Sequence, residues 1–133
     1  MDVTSRIPTP PGLAWTDTAV PPRPLERLVI KEIGRVLFVP VSEVDWLEAE
    51  DDYVQVHAGR STYLLRQSLR VLETRLDPHH FVRIHRSTIV NVQRIHEMRP
   101  LFHGEYQVLL RDGTGLKLSR GYRDRARHLL DMA

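Results

Sequence analysis

The chain has 133 residues, contains no cysteine and carries a formal net charge of +2. This length suits a single hydrophobic core, and the lack of cysteine excludes a disulfide framework, a thiolate metal site and a thiol nucleophile. No apolar run approaches the roughly 20 residues that span a bilayer, and the amino terminus lacks the basic and then apolar pattern of a secretion signal. We therefore expect a soluble, cytoplasmic protein with no membrane partner.

The charges are distributed unevenly along the chain. Residues 1–80 contain 9 Lys or Arg against 12 Asp or Glu, whereas residues 81–133 contain 10 against 5. Lys117 is the only lysine in the second, basic part, and arginine supplies the other positive charges there. Arginine can bind phosphate or guanine through two parallel hydrogen bonds, so this part indicates a polyanionic partner. A solvated arginine-rich surface is the alternative.

Residues 1–26 contain six of the nine prolines. Proline removes a backbone N–H and fixes φ, so this density excludes a regular helix or sheet. We predict a disordered tail or linker over residues 1–26 and one folded domain over residues 27–133.

Short strands follow the proline-rich segment. Apolar, β-branched runs bounded by turn residues predict strands over residues 28–33, 36–39, 44–49, 53–57 and 61–65. Gly34 supplies the positive φ that a hairpin turn requires between the first two strands. The apolar period then changes to three and four residues over 69–76, with Ser68 available as an N-cap, which predicts one short amphipathic helix.

The segment 81–91 combines a predicted buried strand with a cluster of polar groups. Arg83 and His85 alternate with apolar side chains, and Arg86 and Ser87 follow where the alternation ends. Two guanidinium groups, an imidazole and a hydroxyl therefore lie within five residues. These groups suit the recognition of phosphates and base edges.

Three residues of this segment also have structural interpretations. Arg83 could pair with an acid across the sheet. His85, close to the core, fits a structural hydrogen-bonding residue better than a DNA reader. Asn91 could read a base, although an Asn at the end of a strand commonly bonds to its own backbone.

Three more strands are predicted over residues 95–98, 106–110 and 115–119, and a closing helix over residues 120–130. Arg123, Arg125 and Arg127 are expected to face outward from that helix. The predicted fold class is mainly β, an elongated multi-sheet arrangement of about ten strands with one short internal helix and a C-terminal helix.

No catalytic or metal site is expected. The histidines lack the helical spacing and the companion ligands of a zinc site. The acidic run over residues 43–52 resembles a solvated strand edge more than a catalytic pair, and there is no phosphate-cradling glycine loop or nucleophile elbow. We therefore predict neither an enzyme nor a cofactor-binding protein.

The sequence resembles the LytTR family of bacterial DNA-binding domains over about residues 27–130. The similarity rests on residues 44–54, on the short helix, on Phe-x-Arg-x-His-Arg-Ser at 81–87 followed by Val90-Asn91, and on Leu118-Ser119-Arg120 with Tyr122. The motif at 81–87 is the most specific of these matches.

The resemblance implies about ten strands that place loops, and not a recognition helix, in successive major grooves of double-stranded DNA. It also implies transcription regulation as the effector of a response regulator, binding to paired direct repeats and DNA bending, and it is compatible with a homodimer on DNA. The alternative is a β module for single-stranded nucleic acid or a protein partner, which would need stacked, exposed aromatic side chains.

Carried onto this sequence, the resemblance and the charge pattern give the expected DNA-binding residues. These are Asp52, Tyr53, Arg83, Arg86, Ser87, Asn91, Lys117, Ser119, Arg120 and Arg123. Arg86 and Arg120 are expected to read base edges, and Arg83, Ser87, Lys117 and Arg123 to contact phosphates. Gly121 stands where a larger, often basic residue is common in the family, and Arg123 could compensate.

Overall fold

A computed structural model describes residues 23–131 of the protein. Ten strands and two α-helices occur in this part of the chain. The strands are β1 (Arg27–Glu32), β2 (Arg35–Pro40), β3 (Trp46–Glu50), β4 (Tyr53–Ala58), β5 (Ser61–Leu65), β6 (Phe81–His85), β7 (Thr88–Asn91), β8 (Ile95–Pro100), β9 (Tyr106–Leu110) and β10 (Gly115–Leu118). The helices are α1 (Leu69–Arg75) and α2 (Arg127–Asp131). The predicted mainly β fold, with an internal and a C-terminal helix, is confirmed.

The strands form three antiparallel sheets. β1 and β2 make a hairpin, β8, β9 and β10 make a three-stranded sheet, and the central sheet has the order β5-β4-β3-β7-β6. The two turns β3–β4 and β6–β7 lie at the same end of the central sheet, because β3 and β7 are antiparallel neighbours. This end of the sheet therefore carries Asp52, Arg86 and Ser87, three of the expected DNA-binding residues.

Both faces of the central sheet are buried, each in a core of its own. Leu47 and Ile89 belong to the first core, together with side chains of the β1–β2 hairpin and α1. Val82 and Val90 belong to the second core, together with side chains of β9, β10 and the segment before α2. Burial on both faces explains why all four residues of β7 are buried, although a half-buried strand would alternate.

Local sequence signals account for the start of α1 and for the β1–β2 turn. Ser68 caps α1, since its hydroxyl accepts a hydrogen bond from the backbone N–H of Val71 at 3.1 Å. Leu69 and Leu72 point from α1 into the first core. Gly34 has a φ of +84° in the β1–β2 turn, a conformation that side chains rarely adopt. The predicted helix and the predicted glycine turn are both confirmed.

The predicted helix over residues 120–130 is wrong in its extent. The segment begins as a 3-10 turn, Arg120–Tyr122, and α2 starts only at Arg127. The N–H of Tyr122 bonds to the carbonyl of Ser119 at 3.0 Å, which is the tighter spacing of a 3-10 turn. Gly121 disfavours an α-helix here, because glycine costs about 1 kcal/mol relative to alanine in a helix interior.

The boundaries of two other elements also differ from the sequence predictions. β3 begins at Trp46 and not at residue 44, because Val44 ends a 3-10 turn, Val41–Glu43. Residues 1–22 of the predicted tail lie outside the described residues. Leu25 lies in the described part of that tail, donates its backbone N–H to the carbonyl of Arg75 at 2.9 Å and packs on the first core. Between residues 23 and 131, no helix has the length and apolarity needed to cross a membrane.

Candidate nucleic-acid interface

Three loops meet at one end of the central sheet. They are the β3–β4 turn at residues 51–52, the β6–β7 turn at residues 86–87, and the segment 119–126 that follows β10. The backbone N–H of Ala49 donates to the carbonyl of Ser87 at 2.9 Å, which places the first two turns side by side. The N–H of Ser119 donates to the carbonyl of Ile84 at 2.9 Å, which ties the third loop to β6. We call this group of loops the loop end of the sheet.

The β6–β7 turn presents Arg86 on a rigid support. The Nδ1 of His85 lies 2.9 Å from the Ser87 hydroxyl and accepts the Ser87 backbone N–H at 3.2 Å. His85 is therefore a structural hydrogen-bonding residue, as the sequence indicated. Arg86 is exposed, and within residues 23–131 its guanidinium makes neither an ion pair nor a hydrogen bond. Its five N–H donors are thus available to a ligand.

Arg83 is part of that support and does not project from it. Its side chain is 14% exposed and its Nη1 lies 3.2 Å from Oε1 of Glu73 on α1. Its Nε donates to the carbonyl of His85 at 3.3 Å, and its Nη2 donates to the carbonyl of Arg86. The pairing of Arg83 with an acid, left open by the sequence, is the arrangement observed. The phosphate contact expected of Arg83 stays a prediction.

The segment after β10 presents two more exposed arginines, Arg120 and Arg123. The β8–β9 turn packs closely against both. A Cβ added at Gly104 would lie 2.9 Å from Nη1 of Arg123 and 3.4 Å from Cγ of Arg120. Phe102, in the same turn, is 86% exposed. The turn that packs against the two arginines thus also carries an exposed apolar ring.

Lys117 lies near the end of β10 and Ser119 directly follows that strand. Each has a hydrogen-bond or ion-pair partner within the fold. The Nζ of Lys117 is 3.4 Å from Oε1 of Glu105, and the lysine side chain remains 54% exposed. Ser119 is half-buried and contributes its backbone N–H to the bond with Ile84. Lys117 is therefore the more accessible of the two side chains.

Asp52 lies in the β3–β4 turn, Tyr53 is the first residue of β4, and both are exposed. The neighbouring Asp51 adopts a φ of 53°, which lets the chain reverse within two residues. Tyr53 borders a shallow groove together with Val29, Leu64 and Arg66. Asp52 and Tyr53 add a carboxylate and a phenol to the side of the loop end that is opposite the Arg120 segment.

The family model described as the LytTr DNA-binding domain matches residues 34–131. This chain belongs to the LytTR family. The family is one of DNA-binding domains and not of enzymes.

Relatives and a solved structure agree with this assignment. The sensory transduction protein LytT of Bacillus cereus is 31% identical over 126 residues, which are 95% of this chain and 50% of LytT. The transcriptional regulatory protein YpdB of Escherichia coli strain K12 is 31% identical over 78 residues, which are 59% of this chain and 32% of YpdB. A LytTr DNA-binding domain from Bacillus cereus has a TM-score of 0.74 at 31% identity, covering 81% of this chain and 99% of that one. The chain thus spans half or less of the length of the two curated relatives.

Asn91 of the LytTR domain is buried at the other end of β7, away from the loop end. Its side chain is 2% exposed, its Nδ2 donates to the carbonyl of Val44 at 2.8 Å, and its Oδ1 accepts the N–H of Gln93 at 3.0 Å. Both polar ends of the amide are therefore satisfied within the fold. The expected DNA contact by Asn91 is corrected to a structural role that fixes the segment after β7.

Sequence reasoning missed two residues that support the loop end of the LytTR domain. Glu73 binds Arg83, and its Oε2 also lies 3.0 Å from Nη1 of Arg125. Arg125, expected to face outward, instead pairs with this acid while its side chain stays 53% exposed. The one local signal was that Glu73 is the only acid in α1.

The carboxyl groups with clearly lowered pKa values in the described chain lie in turns or on strands away from the loop end. The backbone N–H of His79 is the largest cause of the lowered pKa of Asp77. The backbone N–H of Thr114 acts in the same way on the pKa of Asp112, and a side-chain hydrogen bond from Arg99 lowers the pKa of Glu97. These bonds favour the charged carboxylates and stabilise the turns and the strand that carry them.

Proposed function

We propose that this LytTR domain binds double-stranded DNA in a sequence-specific manner through its loop end. In this proposal Arg86 and Arg120 read base edges in the major groove, and Arg123 and Lys117 contact phosphates. The observation that carries the proposal is the convergence of three exposed arginines, Arg86, Arg120 and Arg123, on loops that are joined by backbone hydrogen bonds. Rigid presentation suits recognition, because less side-chain and loop entropy is lost on binding.

The chemistry of the neighbouring residues fits a base-reading role for this end. Arginine is the side chain that most often contacts guanine, with two parallel hydrogen bonds to O6 and N7. Asp52 can only accept hydrogen bonds while ionised, and the amino group of cytosine is a donor in the major groove. A carboxylate beside a phosphate would be repelled, so we assign Asp52 to a base edge and leave Ser87 and Tyr53 at the margin of the contact.

We further propose that the domain is the effector part of a bacterial transcription regulator in the cytoplasm. LytT is described as a sensory transduction protein and YpdB as a transcriptional regulatory protein, and this chain matches part of each. Binding to paired direct repeats, by two copies of the domain on one face of the duplex, belongs to the same proposal. Repeats spaced by a whole helical turn would let two copies bind in the same orientation.

Selection of bound sites from a pool of random duplexes tests this function. We expect a consensus with guanines at fixed positions, repeated with a spacing near a whole number of helical turns. Recovery of sequences without a consensus would contradict sequence-specific binding. The exposed Phe102, which belongs to the turn that packs against Arg120, favours one competing function, stacking on single-stranded nucleic acid. A single strand that displaces the selected duplex at equal concentration would support that competitor.

Lys117→Ala tests the phosphate contact. Loss of a phosphate contact weakens binding to all duplexes by a similar factor, because phosphates carry no sequence information. We expect the slope of log affinity against log salt concentration to become shallower by about 0.9. Titrations at several salt concentrations measure this slope, and Arg60→Ala, which removes an exposed cation from the β4–β5 turn at the opposite end of the central sheet, is the charge-matched control. An unchanged slope in Lys117→Ala would remove Lys117 from the interface.

A further inference from the structure

A carboxylate lies where two of the basic loops are tied together. Glu73 on α1 receives Nη1 of Arg83 at 3.2 Å on Oε1 and Nη1 of Arg125 at 3.0 Å on Oε2. Arg83 belongs to β6, whereas Arg125 belongs to the segment after β10. One side chain, which is 33% exposed, thus joins α1 to both segments.

The Arg83 arm fixes the turn that carries Arg86. Besides Glu73, the Arg83 guanidinium binds the carbonyls of His85 and Arg86. A guanidinium that bonds simultaneously to a carboxylate and to two backbone carbonyls has little rotational freedom. The backbone of the β6–β7 turn is therefore anchored to α1 through Arg83, and the position of Arg86 depends on that anchor.

The Arg125 arm fixes the segment that carries Arg120 and Arg123. The guanidinium of Arg125 lies over the ring of Tyr122 at 4.7 Å from its centroid, and that of Arg83 lies 5.6 Å from the same centroid. The two guanidinium groups carry the same charge and would repel each other without the carboxylate between them. Glu73 offsets this repulsion and holds both on one aromatic ring.

We propose that Glu73 is a positioning residue for DNA recognition, which sets the geometry of Arg86 relative to Arg120 and Arg123 without touching DNA. This inference rests on the proposed function and deepens it. The expected change in affinity for the specific duplex is opposite in sign to the change expected from charge alone. Removal of a negative charge beside a DNA-binding surface should strengthen binding to every duplex, whereas loss of a positioning residue weakens binding to the specific duplex alone.

Glu73→Gln tests the inference, because the substitution keeps the size of the side chain and removes its charge. Affinities are measured for the full chain on the duplex recovered by selection and on a random duplex of equal length. We expect the affinity for the selected duplex to fall about tenfold, the scale of one lost charged hydrogen bond, and that for the random duplex to stay level or rise. Glu32→Gln is the matched control, since Glu32 pairs with Arg35 at 2.7 Å on the β1–β2 hairpin and is 35% exposed.

Two further measurements separate positioning from a general loss of structure. Glu73→Gln should have a smaller effect in an Arg83→Ala background than in the wild-type chain, because coupled residues are not additive, and the effect that remains reports the pairing with Arg125. Equal effects in the two backgrounds would overturn the positioning of Arg86 through Arg83. Hydrogen exchange of the Ser87 amide without DNA should be faster in Glu73→Gln than in the wild-type chain, at unchanged exchange of amides in β4. Faster exchange throughout the sheet would instead indicate global destabilisation and would overturn the proposal.

The outcomes for the inference and for the proposed function are distinct. A wild-type chain with equal affinity for selected and random duplexes refutes the proposed function, and the role of Glu73 in recognition with it. A wild-type preference that Glu73→Gln leaves intact, or equal shifts on both duplexes, refutes only the positioning role. A loss confined to the selected duplex, with the Glu32→Gln control unchanged, supports it.

Discussion

Replacement of Arg86 by alanine is expected to lower affinity for the selected duplex by about 5- to 150-fold, which corresponds to about 1–3 kcal/mol for one bidentate base contact. Affinity for a random duplex should change much less, because non-specific binding uses phosphate contacts. Specificity should relax at a single base position, at which a repeated selection with Arg86→Ala returns more than one base. Binding titrations on both duplexes and the repeated selection measure these effects.

Arg60→Ala is the matched control for this substitution. Arg60 is also an exposed arginine in a turn of the central sheet, but its turn joins β4 to β5 at the end remote from Arg86. Its removal changes the net charge by the same amount, so any difference between the two variants reflects position and not charge. Equal weakening on selected and random duplexes by Arg86→Ala would exclude the base-reading role.

A substitution in the second core should have a large effect on stability. Ile84 is 0% exposed, packs with Val108 and Leu118, and its carbonyl accepts the N–H of Ser119. Ile84→Ala is expected to reduce the free energy of unfolding by about 2–5 kcal/mol, through lost burial and the cavity that remains. The total free energy of unfolding of a typical domain is about 5–15 kcal/mol, so the loss should be evident in urea denaturation.

Ile33→Ala provides the control for Ile84→Ala. The chemical change is the same, but Ile33 is fully exposed at the end of the β1–β2 hairpin. A surface substitution of this type should stay within about 0.5 kcal/mol of the wild-type value. Similar losses at both positions would contradict the assignment of Ile84 to a packed core.

The parts of the fold that the sequence predicted well are those with local causes. The β1–β2 hairpin follows from two apolar runs around Gly34, and α1 follows from its leucine spacing and the Ser68 cap. The sequence pattern predicts too long a C-terminal helix because the leucines and arginines there fit a helical period, whereas Gly121 and the hydrogen bond of Ser119 to Ile84 favour a 3-10 turn. The tertiary hydrogen bond from Ser119 to Ile84 therefore outweighs the local helix propensity of this segment.

The same distinction between local and tertiary causes applies to the residues of the candidate site. Arg86 and Ser87 could be singled out from sequence, because the alternation of β6 stops at them and a turn must expose what it carries. The roles of Arg83 and Asn91 could not, since both are polar residues whose partners are set by packing. Arg83 pairs with Glu73 of α1, which packs against the sheet. Asn91 donates to the carbonyl of Val44, 47 residues away.

The sequence by itself therefore determined the strand pattern, the short helix, the basic second half and the family resemblance. Each of these depends on neighbouring residues and on the periodicity of side chains along a strand or helix. Only the tertiary structure decided which arginines are exposed, and that Glu73 binds both Arg83 and Arg125, the latter 52 residues from Glu73 along the chain. Contacts over that separation arise when sheets and helices pack, and side-chain pattern along the chain does not encode which charged partners then meet.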